Sequence, residues 1–302
     1  MKRKPFYKRV RDDLFYLLTL LLIRVTRLLP RWAAFVITGF LGKLSYLFAS
    51  SPRKRTLHHL QLAFGAEKSP AEIRDLARRV FIHFATAAGE ILRLPNLLKN
   101  DLNAMVTVHG QEHLTEAAKQ KRGIIFLSCH FGNWEIMAAW AGLNGYPLQV
   151  VGTPLFDPRL DRILIETREM TGNKNIARGT ATREIIRSLQ RGEAVAMLID
   201  QDTKADGVFV EFFGRPAYTP IGPALLARKY GAPIIPVFMI IRPDRTYELE
   251  ILPPIKLAQT DDADHDILVN TRKCSDIYET VIRRHPEQWA WMHKRWKTQP
   301  KK

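Results

Sequence analysis

Acidic residues are in short supply in this 302-residue chain. There are 30 Asp and Glu against 46 Lys and Arg, a formal charge of +16. Cysteine is scarcer, with only Cys129 and Cys274, too far apart for a zinc motif. With no secretory cleavage pattern, these two make a reducing cytoplasmic setting the expectation and a structural disulfide an unsuitable reading. Five motifs are missing: G-x-G-x-x-G, the P-loop, G-x-S-x-G, H-E-x-x-H and C-x-x-C. Nucleotide, serine-hydrolase and zinc-protease readings lose their usual support with them. Low-complexity tracts and internal repeats are also lacking. At 46% hydrophobic and 25% charged, the chain is instead globular, with a large core to bury.

The charge is unevenly placed. Residues 1–60 hold 13 basic and two acidic side chains, so this fifth supplies +11 of the +16. A basic segment of this kind suits either a nucleic-acid arm or a surface of anionic lipid, which attracts roughly 1 kcal/mol per Lys or Arg. The intervening residues are rich in Leu, Phe and Trp, which favours lipid and speaks against nucleic acid. Leu14–Ile23 and Trp32–Gly42 are uncharged runs, each shorter than the ~20 residues that span a hydrocarbon core. Arg24, Arg27 and Arg31 recur at helical spacing, with Leu28, Leu29, Trp32, Phe35 and Val36 on the other sides. The spacing predicts a helix lying in the headgroup layer, with Trp32–Ser51 as a marginal span. Residues 1–51 are therefore expected to form a basic, apolar membrane anchor and residues 52–302 a single domain.

Within that domain, Ser69-Pro70-Ala71-Glu72 is a capping box that opens a long helix running to Pro95. Short β-rich runs then alternate with helical ones. Strands are expected at Met105–Val108, Gly123–Cys129, Leu148–Val151, Ala194–Ile199, Ile234–Ile241 and Tyr247–Ile251. Helices are expected at Asn133–Leu143, Asp157–Met170, Ala181–Gln190, Pro220–Lys229 and Asp266–Arg284. The fold class is thus α/β, a mostly parallel central sheet flanked by helices. Tyr218-Thr219-Pro220 reads as the start of the fourth of these helices and Gly231 as its end.

One block carries chemistry. Gly123–Cys129 reads as a buried strand that ends at His130, followed by a glycine turn and Glu135 on the next helix. Ligands in open α/β sheets bind beyond the carboxyl ends of the strands, so His130 falls at the mouth of a cleft. A carboxylate such as Glu135 beside the imidazole would fix its tautomer and make it a general base for a hydroxyl. Backbone N–H groups at the same helix start would face developing negative charge. His130 alone reads equally well as a satisfied strand-end histidine; the pairing with Glu135 favours chemistry. Cys129 alternates to the opposite face and reads as a buried thiol.

The ordered set His130-Phe-Gly-Asn-Trp-Glu135, Asp200-Gln-Asp202, Gly207 to Gly214, Gly231 to Pro236 and Pro286 to Trp296 resembles the bacterial lipid A biosynthesis acyltransferases. These are the lauroyl and myristoyl transferases of the lysophospholipid acyltransferase superfamily. The resemblance covers nearly the whole chain. It implies a glycerol-3-phosphate acyltransferase-like fold and acyl transfer from an acyl carrier protein thioester to a hydroxyl of a phosphorylated glycolipid. The place implied is the cytoplasmic face of the inner membrane, with no metal, no cofactor and no acyl-enzyme intermediate. His130 matches the family's base and Glu135 its partner; Arg168 and Asp200 match further site positions. Arg168 would engage substrate oxygens and Asp200 would hold its guanidinium. By itself Arg168 reads as a solvated helix charge among Arg162, Glu166 and Glu169, a reading the resemblance reverses. Asp202 also suits a loop cap. Phe213-Gly214-Arg215 resembles a block that approaches acceptor phosphate, though Arg215 also suits a surface loop. Trp289, Trp291 and Trp296 read as core packing. Arg178, Arg183 and Arg187 are expected to steer the acidic carrier. Three other readings stay open: a related enzyme using acyl-CoA on phosphatidylinositol mannoside, a hydrolase, and a non-enzymatic nucleic-acid or membrane-coat protein suggested only by the +16 charge.

Overall fold

The computed structural model describes residues 6–152, 154–177 and 181–300. Arg178 and the first basic cluster, Lys2 to Lys4, lie outside the described residues. Seven strands form one sheet: β1 (Val106–His109), β2 (Ile124–Ser128), β3 (Leu148–Gly152), β4 (Lys174–Ala177), β5 (Ala194–Leu198), β8 (Ile234–Ile241) and β9 (Tyr247–Ile251). Their order is β1-β9-β8-β2-β5-β3-β4, and every neighbouring pair is parallel except β8 and β9. β2 lies in the middle and is buried on both faces, as its Ile-Ile-Phe-Leu sequence requires. Ile125 and Leu127 point into one core, with Cys129, while Ile124 and Phe126 point into another on the opposite face.

Helices cover both faces: α4 (Pro70–Leu92), α5 (Leu94–Lys99), α6 (Gln111–Lys119), α7 (Trp134–Leu143), α8 (Pro158–Glu169), α9 (Ala181–Gln190), α10 (Gly222–Tyr230) and α11 (Ala263–Arg284). The Ser69–Glu72 capping box opens α4 as expected. Two boundaries differ from the sequence pattern. Tyr218–Pro220 does not start α10 but ends β7 (Arg215–Pro220), which pairs with β6 (Gly207–Phe212) as a separate antiparallel hairpin. Pro220 is tolerated there because it sits opposite Gly207 at the hairpin's open end, and Pro223 takes the first turn of α10. Gly231, at φ 68°, does end that helix. α11 begins at Ala263 because Asp262 accepts from the His265 amide, freeing Asp266 to be buried against Arg228 and Thr260. β4, α6 and the hairpin left no sequence signal strong enough to read.

At the N-terminus, α1 (Phe6–Leu28), α2 (Arg31–Phe48) and α3 (Ser50–Phe64) follow one another. Pro30, extended at ψ 153°, breaks α1 from α2. The expected arginine face is therefore corrected: Arg24, Arg27 and Arg31 do not share one helix. Arg27 donates to the Leu92 carbonyl (2.8 Å), and Arg31 donates to buried Glu90 (2.6 Å) and to the Arg245 carbonyl (2.6 Å). Both tie the segment to the domain instead of facing outward. α2 lies against α4 so closely that a methyl on Gly42 would sit 2.7 Å from the Ile82 Cα. The outward surface is apolar, with Leu17, Leu18 and Leu21 of α1 and Trp32, Phe40 and Phe48 exposed. Among the described residues no single helix is long and apolar enough to cross a membrane. α2 and α3 reach that length together but meet at 89°, so Trp32–Ser51 is not one helix.

Candidate active site

β2 and β5 are parallel neighbours with Ser128 opposite Leu198. Two residues further along each chain, beyond the carboxyl ends of the strands, His130 and Asp200 meet. His130 Nδ1 donates to Asp200 Oδ1 at 2.9 Å, and the His130 amide donates to Asp200 Oδ2 at 3.0 Å. Asp200 is buried, whereas the His130 side chain keeps 27% of its surface exposed. Nδ1 thus carries the bonded proton, and Nε2 is the nitrogen left to take another.

Burial alone would lower the His130 pKa. The charge and hydrogen bond of Asp200, with a smaller contribution from Glu135, reverse this and raise it above the usual value. Burial would raise the Asp200 pKa, but the imidazole, the two His130 hydrogen bonds and the Trp289 indole hold it below the ordinary carboxylate range.

The turn after His130 leaves little freedom. Gly132 has φ 58°, and a methyl there would lie 1.7 Å from the Met239 carbonyl oxygen. Its amide donates to the Gln288 carbonyl (2.8 Å), and its own carbonyl accepts from His83 Nε2 (3.1 Å). His83 is buried on α4, and desolvation lowers its pKa to about 4, so it stays a neutral donor. Asn133 caps α7 by accepting from the Ile136 amide, and its own amide donates to the Met239 carbonyl. The helix-start amides expected to face developing charge are therefore partly occupied. Gly132 and Asn133 are used, and among the described residues the Trp134 and Glu135 amides stay open.

The carboxylate assignments are exchanged relative to the sequence reading. Glu135 does not bond His130. It receives a bidentate pair from Arg168, Nε at 2.9 Å and Nη2 at 2.5 Å, and Arg168 Nη1 also donates to Asn175 on β4 at 2.6 Å. Asp200, expected to hold Arg168, holds His130 instead. The reason is register: β5 lies against β2 and brings Asp200 to His130, whereas Arg168 reaches Glu135 because α8 packs against α7. A small cleft beside this ion pair is lined by Ile91, Leu94, Ile136 and Ala139.

Other residues singled out by sequence fall as follows. Cys129 is buried and its thiol pKa is pushed well up by desolvation and by Asp200, which makes it inert. Asp202 accepts from the Thr298 amide (2.8 Å) and hydroxyl (3.1 Å), anchoring the C-terminal segment. Arg215 stands exposed at the hairpin tip, where Phe213 and Gly214 both have positive φ, and no described hydrogen bond or ion pair joins it to His130. Arg183 and Arg187 are exposed on α9. Three contributors escaped the sequence reading: His83, Asn175 and Trp289, whose indole donates to Asp200 Oδ2 at 2.9 Å. Among the described residues no group of three or more His, Cys, Asp or Glu side chains is arranged to hold a metal ion.

A partly exposed histidine braced by a buried aspartate thus stands beside an arginine–carboxylate pair at the carboxyl ends of parallel strands, the place where open α/β sheets bind their ligands. Comparison with known proteins gives the class. The profile of the bacterial lipid A biosynthesis acyltransferases matches residues 1–298, and the chain belongs to that family of O-acyltransferases. It is 29% identical over 267 residues to the lipid A biosynthesis lauroyltransferase of Escherichia coli K12, covering 86% of this chain and 84% of that protein. It is 31% identical over 196 residues to the lipid A biosynthesis palmitoleoyltransferase of the same strain, covering 64% and 62%. The phosphatidylinositol mannoside acyltransferase of Mycolicibacterium smegmatis is 26% identical over 234 residues, covering 76% and 75%.

Proposed function

We propose that this acyltransferase moves a fatty acyl chain from an acyl carrier protein thioester to a hydroxyl of a lipid A precursor, at the cytoplasmic face of the inner membrane. The observation that carries this reading is the His130–Asp200 pair, which fixes the imidazole tautomer and leaves Nε2 to accept a proton. The acceptor hydroxyl gives its proton to Nε2 while its oxygen attacks the thioester carbonyl carbon. The imidazolium that forms lies against Asp200. As the tetrahedral intermediate collapses, the carbon–sulfur bond breaks, and Nε2 returns the proton to the departing thiolate. The open amides of Trp134 and Glu135, at the start of α7, are backbone donors suited to the developing oxyanion.

Glu135 acts in this reading through charge and through Arg168, which it holds at the mouth of the cleft. Arg168, and Arg215 from the hairpin tip, supply cations for acceptor phosphates. The 1–51 segment, with its exposed leucines and aromatics, suits an anionic membrane surface, where such an acceptor resides. No cofactor is needed in this scheme. The carrier is acidic in this reading, and Arg183 and Arg187 are the described cations suited to it.

The mannoside relative supports a second reading, the same chemistry on phosphatidylinositol mannoside, for which acyl-CoA is the alternative donor to test. Purified enzyme offered both donors and both acceptors separates the two. Turnover confined to acyl carrier protein and the lipid A precursor is expected. Turnover confined to the mannoside would overturn the first reading, and free fatty acid as sole product would overturn both.

A further inference from the structure

We propose that Trp289 is a positioning residue of the acyl transfer, holding Asp200 in the orientation that braces His130. The inference rests on the proposed role of His130 as base. A carboxylate has only acceptors, and Asp200 spends them in a defined way. Oδ1 accepts from His130 Nδ1, while Oδ2 accepts both from the His130 amide and from Trp289 Nε1. With Oδ2 held from two directions, the carboxylate plane is fixed and Oδ1 is aimed at the ring. Trp289 and Asp200 are each 1% exposed, so water does not compete for this bond.

The neighbouring tryptophan supplies the contrast. Trp291 is equally buried and packs edge-on against Trp289 at 4.7 Å, yet its indole donates to the Pro286 carbonyl at 2.6 Å. Of the two indoles, Trp289 alone donates to the carboxylate that holds the base.

The backbone around Trp289 is tethered on both sides. Gln288 accepts from the Gly132 amide and exchanges two side-chain hydrogen bonds with Ile241, while the Ala290 amide donates to the His130 carbonyl at 3.1 Å. Further on, Arg295 donates to the Tyr218 carbonyl and the Thr219 hydroxyl, and Thr298 holds Asp202. Residues 286–298 therefore form a strap that pairs with the His130 turn, Trp289 opposite Phe131, and carries the indole to Asp200. The other charged or titratable groups acting on Asp200 are Arg295 and His293 from this strap, Cys129 from the end of β2, and Tyr278 from α11.

The test uses the full chain in detergent, read by NMR and by acyl transfer. Trp289→Phe keeps an aromatic ring at the position and deletes the donor, and Trp291→Phe, a matched loss of volume at a neighbouring buried site, controls for the void. Trp289→Phe is expected to lower kcat/KM by about 10- to 100-fold, the rate equivalent of one hydrogen bond to a charged group. With Oδ1 no longer aimed at the ring, the contact that raises the His130 pKa weakens, so the His130 titration midpoint should move to lower pH. Trp291→Phe should leave that midpoint in place. In the Asp200→Asn background, Trp289→Phe should add little further loss, because the group it acts through is already gone. In the unmodified protein, the Trp289 indole proton should follow the His130 titration, a reading that does not depend on any variant folding.

An unchanged midpoint with kcat/KM within about twofold would overturn the proposal. So would losses that multiply in full in the double variant, an equal midpoint shift in Trp291→Phe, or an indole proton blind to the His130 titration. Failure of the unmodified protein to transfer acyl groups bears on the proposed function alone, since both titrations are read without substrate.

Discussion

Replacing Asp200 by Asn removes one charge, keeps the shape, and separates two assignments of the partner of His130. In the transition state an imidazolium stands 2.9 Å from Asp200 Oδ1. At an effective dielectric constant of about 20, that contact is worth roughly 6 kcal/mol. At 1.36 kcal/mol per decade this amounts to about 10⁴ in rate, the scale on which Asp→Asn changes act in other histidine-base enzymes. Asn adds a second fault: its amide can donate to Nδ1, which places the proton on Nε2 and disables the base. Without the Asp200 charge, burial dominates and the His130 pKa falls below 6.5. The assay is kcat/KM from pH 5 to 9 for the unmodified enzyme, Asp200→Asn and Glu135→Gln. The unmodified enzyme should show an acid limb above pH 6.5, and Asp200→Asn a limb below it with a rate down by about 10⁴. Glu135→Gln should lose less and keep its acid limb closer to that of the unmodified enzyme. An Asp200→Asn rate within tenfold of normal, beside a 10³-fold loss in Glu135→Gln, would refute the reasoning and restore Glu135 as the partner.

Other outcomes follow from the same contacts. Arg168→Ala leaves Glu135, only 12% exposed, without its bidentate partner, so the urea midpoint should report a loss of roughly 3 kcal/mol along with lost turnover. Gly132→Ala forces a methyl into the Met239 carbonyl at positive φ and should abolish the folded site, seen as lost activity and a lowered Tm. His59 and His83 have pKa values lowered to about 4, so the unfolded chain binds protons that the folded one refuses. Stability should therefore fall as pH drops from 6.5 towards 4, by up to about 3 kcal/mol for each histidine. Denaturant midpoints across that window check this, and His83→Gln should flatten the fall.

How far the sequence could be read depended on how local each signal was. Ser69 and Glu72 are three residues apart and cap α4 by contacts along one turn, so spacing sufficed. The run of Ile124–Ser128 is apolar at successive positions because both faces of β2 are covered, and that placed His130 at a strand end. The arginines at 24, 27 and 31 misled because helical spacing was carried across Pro30. Tyr218–Pro220 misled because a capping pattern looks the same whether it opens a helix or closes a strand beside one. The short strand β4 and the β6–β7 hairpin owe their form to neighbours in space, which no pattern of four to six residues records.

By itself, then, the sequence determined an α/β chain with an apolar, basic N-terminus and a histidine at the carboxyl end of a buried strand. These properties come from periodicity and from residue types within one or two turns. The tertiary structure alone decided which carboxylate serves that histidine. His130 and Asp200 are 70 residues apart and meet only because β2 and β5 lie parallel with Ser128 opposite Leu198. Glu135, five residues from His130, turns to Arg168 because α8 packs against α7. Trp289 reaches Asp200 because a C-terminal strap is tethered to both. Strand order and register are fixed by the burial of whole faces, which no local spacing encodes.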